Sequence, residues 1–127
     1  MKFFSRRIIK PEDLNPAQNL FGGTLLYWID EEASIFATCQ LKTNKMVTRL
    51  ITDINFISSA RAGDIIEFGF ETTKFGTTSI SMCCEVRNKF TQQTILKIDK
   101  IVFVCIDENG KPMPHGQGVE PALLIAS

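Results

Sequence analysis

An α+β architecture, one long helix packed on a five-stranded antiparallel sheet, is what the 127 residues predict. Three observations carry that expectation. A proline-free stretch from about Gly22 to Gln40 places apolar residues at helical spacing. Beyond it the apolar period drops from near 3.6 to about 2 and stays there through four long segments. The turns between those segments are short, and strands joined by short turns must run antiparallel, because a parallel crossover needs about a dozen residues or more. One domain over residues 1–127 is expected, since single cores of about 100 to 150 residues are the commonest size. Its core should span about residues 3–107, followed by a loose tail at about 110–127.

Each element follows in order. The opening MKFFSRRII is short and rich in large apolar groups and reads as a first strand; PEDLNP, with Pro11 and Pro16, reads as a turn or a single helical turn. In the helix, Leu25, Leu26, Ile29, Ala33, Phe36, Ala37 and Gln40 recur at its period, and Trp28, Ile35 and Cys39 widen the apolar surface. A helix apolar on most sides is expected to be wrapped by the sheet. In KMVTRLITDINFIS the even positions from Met46 to Phe56 alternate with Arg49, Asp53 and Asn55, and ARAGD turns the chain. IIEFGFETTKF sets Ile66, Phe68 and Phe70 against Glu67 and Glu71; TSISMCCEVR sets Ile80, Met82, Cys84 and Val86 against Ser79, Ser81, Glu85 and Arg87. TILKIDKIVFVCI becomes apolar on both faces, which places it inside the sheet rather than at an edge. A sheet of this kind still has long edges, so an oligomer is expected.

The totals exclude several classes. Lys plus Arg and Asp plus Glu are 14 each and no like-charged block is visible, so little draws a nucleic acid or an anionic membrane to the chain. No apolar run reaches the roughly 20 residues of a membrane span, and the N-terminus lacks the h-region of a signal peptide, so the cytoplasm is the expected compartment. Cys39, Cys83, Cys84 and Cys105 show no CxxC spacing and read as reduced, mostly buried small apolar residues. His115 is the only histidine and falls in the Pro- and Gly-rich KPMPHGQG, where a solvated loop residue is expected; a metal site or a histidine-based triad is not.

Chemistry concentrates in NLFGGTLLYWIDEEASIF. Residues on a helix turn by about 100° each, so Asp30, Glu31 and Glu32 span roughly 200° and cannot share a face. Asp30 has Leu26, Tyr27, Ala33 and Ser34 as its three- and four-residue neighbours, a mostly apolar surface on which a carboxylate needs a hydrogen-bond partner. The alternative for all three is a solvated surface. Gly22 and Gly23 at the helix start let a ligand approach unpaired N–H groups, or else mark close packing or a tight turn.

These residues resemble a known family. Asn19-Leu20-Phe21-Gly22-Gly23 followed by Asp30 is similar to the active-site signature of hotdog-fold acyl-CoA thioesterases, which include small bacterial acyl-CoA hydrolases and the two-domain brain-type cytosolic enzyme. DINFISSARAGD, KFGTTSISM and FVCIDENGKPMP resemble that family's second strand, its turn near coenzyme A and its last strand, so the likeness is colinear over about residues 12–114. It implies a central helix wrapped by a five-stranded sheet, and a homodimer, assembled further into a tetramer or hexamer, with the site at the dimer interface. It implies acyl-CoA as substrate, with Asn19 of one subunit facing Asp30 of the other. Asp30 would act as general base or nucleophile, and Asn19 and the Gly23 N–H would hold the water and the oxyanion. Gly22 is placed in the substrate site. Gly76, Thr77, Thr78, Ser79 and Arg61 are expected to contact the coenzyme A phosphates; ordinary hairpin turns are the alternative. No cofactor is implied, coenzyme A being part of the substrate. A non-catalytic acyl-CoA sensor of the same fold is the competing function.

Overall fold

The computed structural model describes residues 1–118. β1 (Lys2–Ile8) leads through a single 3₁₀ turn (Pro11–Asp13) to α1 (Gly22–Leu41), followed by β2 (Met46–Phe56), β3 (Ile65–Phe75), β4 (Ser79–Asn88) and β5 (Thr94–Cys105). The strands form one sheet in the order β1-β3-β4-β5-β2, with every neighbouring pair antiparallel. The expected helix-on-sheet architecture is therefore present, and β5 lies inside the sheet between β4 and β2. The two margins are β1 and β2. No helix among the described residues is long and apolar enough to cross a membrane.

Residues spaced by four, Leu25, Ile29, Ala33, Ala37 and Leu41, together with Trp28, form the buried face of α1. They pack on Phe68, Met82, Ile98 and Phe103 of the inner sheet face, and each large side chain withdrawn from water there contributes about 1.5–3 kcal/mol. Ala33 and Ala37 are fully buried, and their small side chains let the helix lie close to the strands. Phe36 joins Phe70 of β3 and Phe4 of β1 through ring centroids 5.6 and 5.4 Å away. The helix ends where Lys42 turns left-handed (φ 58°) and donates its N–H to the Thr38 carbonyl.

Four details depart from the sequence expectations. First, α1 is open along one side: Gly23, Tyr27, Glu31, Ile35 and Cys39 are exposed, again at a spacing of four, because one layer of sheet covers only one face of a cylinder. Cys39 is thus not a buried thiol; all four cysteines are free, with Cys84 and Cys105 buried and Cys83 half-buried. Second, a bulge at Arg49 reverses the alternation of β2, so Leu50 pairs with Val102 on the outer face while Ile51 packs on the core. Asp53, at φ 56°, restores the phase so that Ile54 faces inward.

Third, His115 is not a solvated loop residue. Its ring lies across Phe75, its Nε2 is 2.9 Å from the Ser79 carbonyl oxygen, and its N–H donates to Thr77. Fourth, the tail expected to be loose from about 110 is tied down as far as His115, since Met113 also donates to Cys105. Of that expected tail, residues 119–127 lie outside the described residues.

On the outer face, Glu67 is 3% exposed. Arg87 Nε donates to its Oε1 at 2.7 Å, and Arg6 Nε lies 3.4 Å from Oε2. Burial pushes this carboxyl's pKa up, but the hydrogen bond and charge of Arg87, with the Arg6 bond behind them, outweigh it and hold the group below the usual glutamate value.

Candidate active site

The three acids of α1 separate into two environments. Arg7, on β1, lies with its guanidinium 5.1 Å from the centroid of the Trp28 ring and donates from Nη2 to Glu31 Oε1 at 2.7 Å and Glu32 Oε1 at 3.4 Å. Glu31 and Glu32 are thereby assigned to binding the helix to β1. Asp30 points the other way, toward the open edge, where Thr48 Oγ1 of β2 donates to Asp30 Oδ1 at 2.7 Å. Asp30 is half-buried and has no cationic partner among the described residues. A carboxylate held by one neutral hydroxyl keeps lone pairs open to further donors.

The two glycines at the helix start have different roles. A side chain at Gly22 would meet the Phe56 ring at 3.2 Å, whereas one at Gly23 would meet nothing within 4 Å. Gly22 lies close against the Phe56 ring, and Gly23 leaves its surroundings open. No side chain caps the helix, and the N–H groups of Gly22, Gly23 and Thr24 have no acceptor among the described residues. Uncapped first-turn donors at the positive end of a helix suit an anionic oxygen.

Beside them opens a cavity of about 290 Å³ bordered by Asn15, Asn19, Gly22, Leu25, Phe56 and Ser58 among others. The loop is built by Asn15, whose Oδ1 accepts the N–H groups of Ala17 and Asn19 while its own N–H donates to the Asn19 carbonyl. Gln18 takes the left-handed φ of 65° that this tight turn needs. Both asparagines therefore face the cavity, and Asn15 is a residue that the sequence reading passed over; its signal was the Asn-Pro pair, read there only as a turn. Asp30 is not among the residues bordering this cavity.

The residues expected near coenzyme A are divided between opposite ends of the sheet. Arg61 is exposed in the β2–β3 turn at the Asn19 end. Gly76, Thr77, Thr78 and Ser79 form the β3–β4 turn at the other end, beside His115 and the start of β2. The length of β3 separates the two groups by about 35 Å. Within one copy the structure brings Asn19, Gly22 and Gly23 together and leaves Asp30, Arg61 and the 76–79 turn apart. No group of three or more His, Cys, Asp or Glu residues is placed to hold a metal among the described residues.

The thioesterase superfamily matches residues 17–95, from the loop before α1 into β5. Acyl-CoA thioester hydrolase YciA of Salmonella typhimurium is 30% identical over 115 residues, which cover 86% of each chain. An acyl-CoA hydrolase of Staphylococcus aureus, solved with butyryl coenzyme A, coenzyme A and coenzyme A disulfide, is 28% identical and superposes with a TM-score of 0.77 over 87% of this chain and 66% of its own. Alanine variants of that enzyme have been solved at an asparagine, with coenzyme A, and at an aspartate fifteen positions further on. The hexameric thioesterase y2039 of Yersinia pestis, 24% identical, shares the fold with a TM-score of 0.83 over 92% of this chain and 97% of its own. A match over more than half of the chain, joined to a 30% identical relative aligned along most of its length, gives one placement: the chain belongs to the thioesterase superfamily, among its hotdog-fold acyl-CoA hydrolases.

Proposed function

We propose that this chain hydrolyses acyl-CoA to a free acid and coenzyme A at a site completed between two copies. The observation that carries the reading is the position of Asp30. It lies on the side of α1 turned toward β2, the open margin of the sheet, and is held by Thr48 of that same strand. β2 also exposes Val47, Leu50 and Phe56. Two β2 strands joined about a twofold axis run antiparallel, so the Phe56 end of one copy lies beside the Met46 end of the other. That pairing sets the Asn19–Gly23 cavity and Arg61 of one copy against Asp30 and the Gly76–Ser79 turn of its partner. The hexameric Yersinia relative supports further assembly of such dimers into a hexamer, with a tetramer the smaller alternative.

In this site Asp30 takes a proton from water while the water oxygen bonds to the thioester carbon, a task for which a positioned base supplies about 10² to 10⁴ in rate. The carbonyl electrons move to oxygen, which the Gly23 N–H receives. Collapse breaks the C–S bond, and the coenzyme A thiolate leaves without needing a strong acid. In the nucleophilic alternative, Asp30 attacks the carbonyl carbon, expels the same thiolate and forms an anhydride that water then opens. A loop asparagine orients the water or the carbonyl. Asn19 is the residue of the sequence signature, while the fifteen-residue spacing of the Staphylococcus variants equals that from Asn15 to Asp30. Gly22, Arg61 and Gly76 to Ser79 are assigned to the coenzyme A portion. The four free thiols support a reducing compartment, the cytoplasm.

The test is a panel of thioesters from acetyl- to palmitoyl-CoA, followed with a thiol reagent. Release of thiol from at least one supports the reading. If none is cleaved while coenzyme A still raises the Tm, the chain is a non-catalytic sensor. Mixing Asn15→Ala or Asn19→Ala subunits with Asp30→Ala subunits should restore activity only for the asparagine that faces the partner's site; no rescue with either removes the interfacial arrangement.

A further inference from the structure

Next to the Gly76–Ser79 turn assigned above to coenzyme A, the outer sheet face holds a depression of about 440 Å³ at the end where β3 turns into β4. Its floor is one row fixed by register: Lys74 lies opposite Ser81, Ser81 opposite Val102, and Val102 opposite Leu50. Directly paired residues of antiparallel strands share a face, and this row faces away from α1. Bulges at Arg49 in β2, at Thr73 in β3 and between Ile98 and Ile101 in β5 all fall beside it. Bulges re-aim side chains, and here Arg49, Lys74 and Lys100 all border the same depression. None of the three forms a salt bridge among the described residues.

A second feature adds hydroxyl donors. Ser81 is only 8% exposed and, with Ser79, borders the depression; its Oγ is not among the polar atoms sealed from water without a partner, so it opens toward the depression. Two hydroxyls beside three cations that form no ion pair make a donor set accessible to an acceptor from solution. Charge-assisted hydrogen bonds to phosphate oxygens are what such donors favour.

We propose that Arg49, Lys74 and Lys100, with the hydroxyls of Ser79 and Ser81, form a phosphate-binding site on the outer face of the sheet for a ligand carrying more than one phosphate. Two sources share this chemistry: the phosphates of coenzyme A itself, reaching over the Gly76–Ser79 turn, and a separate polyphosphate or nucleotide. The site stands without the hydrolase reading, because binding of an inorganic ligand is measured without turnover.

The experiment is calorimetric titration of the full chain with inorganic tripolyphosphate, then with coenzyme A and dephospho-coenzyme A. Tripolyphosphate should bind the wild type, and Lys74→Ala with Lys100→Ala together should weaken it by about tenfold or more, the scale of losing one charged hydrogen bond or more. Ser81→Ala should weaken it less, with the Tm of both variants unchanged since the lysines are exposed and Ser81 bonds nothing. If the double variant also binds coenzyme A more weakly, while dephospho-coenzyme A is affected less, the substrate's 3′-phosphate is the occupant. If coenzyme A binding is unchanged, the occupant is a separate polyphosphate or nucleotide. Tripolyphosphate that fails to bind, or that binds the wild type and the double variant equally, overturns the proposal.

Discussion

Asp30 and Glu67 are both carboxylates withdrawn from bulk water, and the chain treats them in opposite ways. Glu67 is 3% exposed and receives bonds from Arg87 and Arg6. Asp30 is half-buried, has one neutral donor, Thr48, and lies at the margin of the sheet. A buried charge surrounded by cations is compensated and inert, its pKa held low. What separates the two is thus the number and charge of their donors, and not burial alone. Glu31 and Glu32, paired with Arg7, belong with Glu67.

The largest effect should come from Asp30→Ala, which is expected to lower kcat by at least about 10² while the Tm and the oligomeric state stay unchanged. Stopped assays on purified variant and a thermal melt check both halves; a folded variant with full activity would erase the contrast. Glu67→Ala should do the reverse, lowering stability by roughly 2 kcal/mol with kcat intact. That is less than the ~3–5 kcal/mol for breaking a fully buried pair, because Arg6 and Arg87 still reach water. Urea unfolding measures it.

Thr48→Val keeps the shape of the side chain and removes the donor to Asp30. A loss of about tenfold in kcat is expected, the scale of one hydrogen bond to a charged group. Acid titration sharpens the Glu67 side. Its pKa is lowered in the folded state, so its contribution to stability is complete above the ordinary glutamate value and is lost as pH falls through the folded value. Glu67→Gln should flatten the fall in stability below about pH 4.3. Least affected should be Glu31→Ala, with kcat within about twofold and a stability change below about 1 kcal/mol for an exposed pair. A hundredfold loss there would make Asp30 no different from its neighbours.

The fold was legible because its signals are local. The period change after Gln40 and the short turns fixed the helix, the strands and their antiparallel order. Phase within β2 was not legible: a bulge at Arg49 leaves the sequence alternation looking intact while moving Leu50 outward and Ile51 inward. The site was half legible. Gly23 and Asp30 stood out from spacing and from the family likeness, but the roles of Glu31 and Glu32 depend on Arg7, a partner on another strand 24 and 25 residues away that no local pattern names. Asn15 was hidden for another reason. Asn before Pro16 is the ordinary sign of a turn, and only the folded loop reveals a second amide at the cavity.

The bulged, cationic margins of the sheet also decide how large an assembly can grow by strand pairing. In the proposed pair joined through β2, the free margins of the sheet among the described residues are the two β1 strands. Each has just seven residues, a register break between Phe3 and Ser5, and Lys2, Arg6 and Arg7 along it. A short, kinked, positively charged border is a poor template for further strands. In that pair growth along the sheet stops at two copies, and Arg7, which also holds α1 through Glu31 and Glu32, is one of the charges that block it.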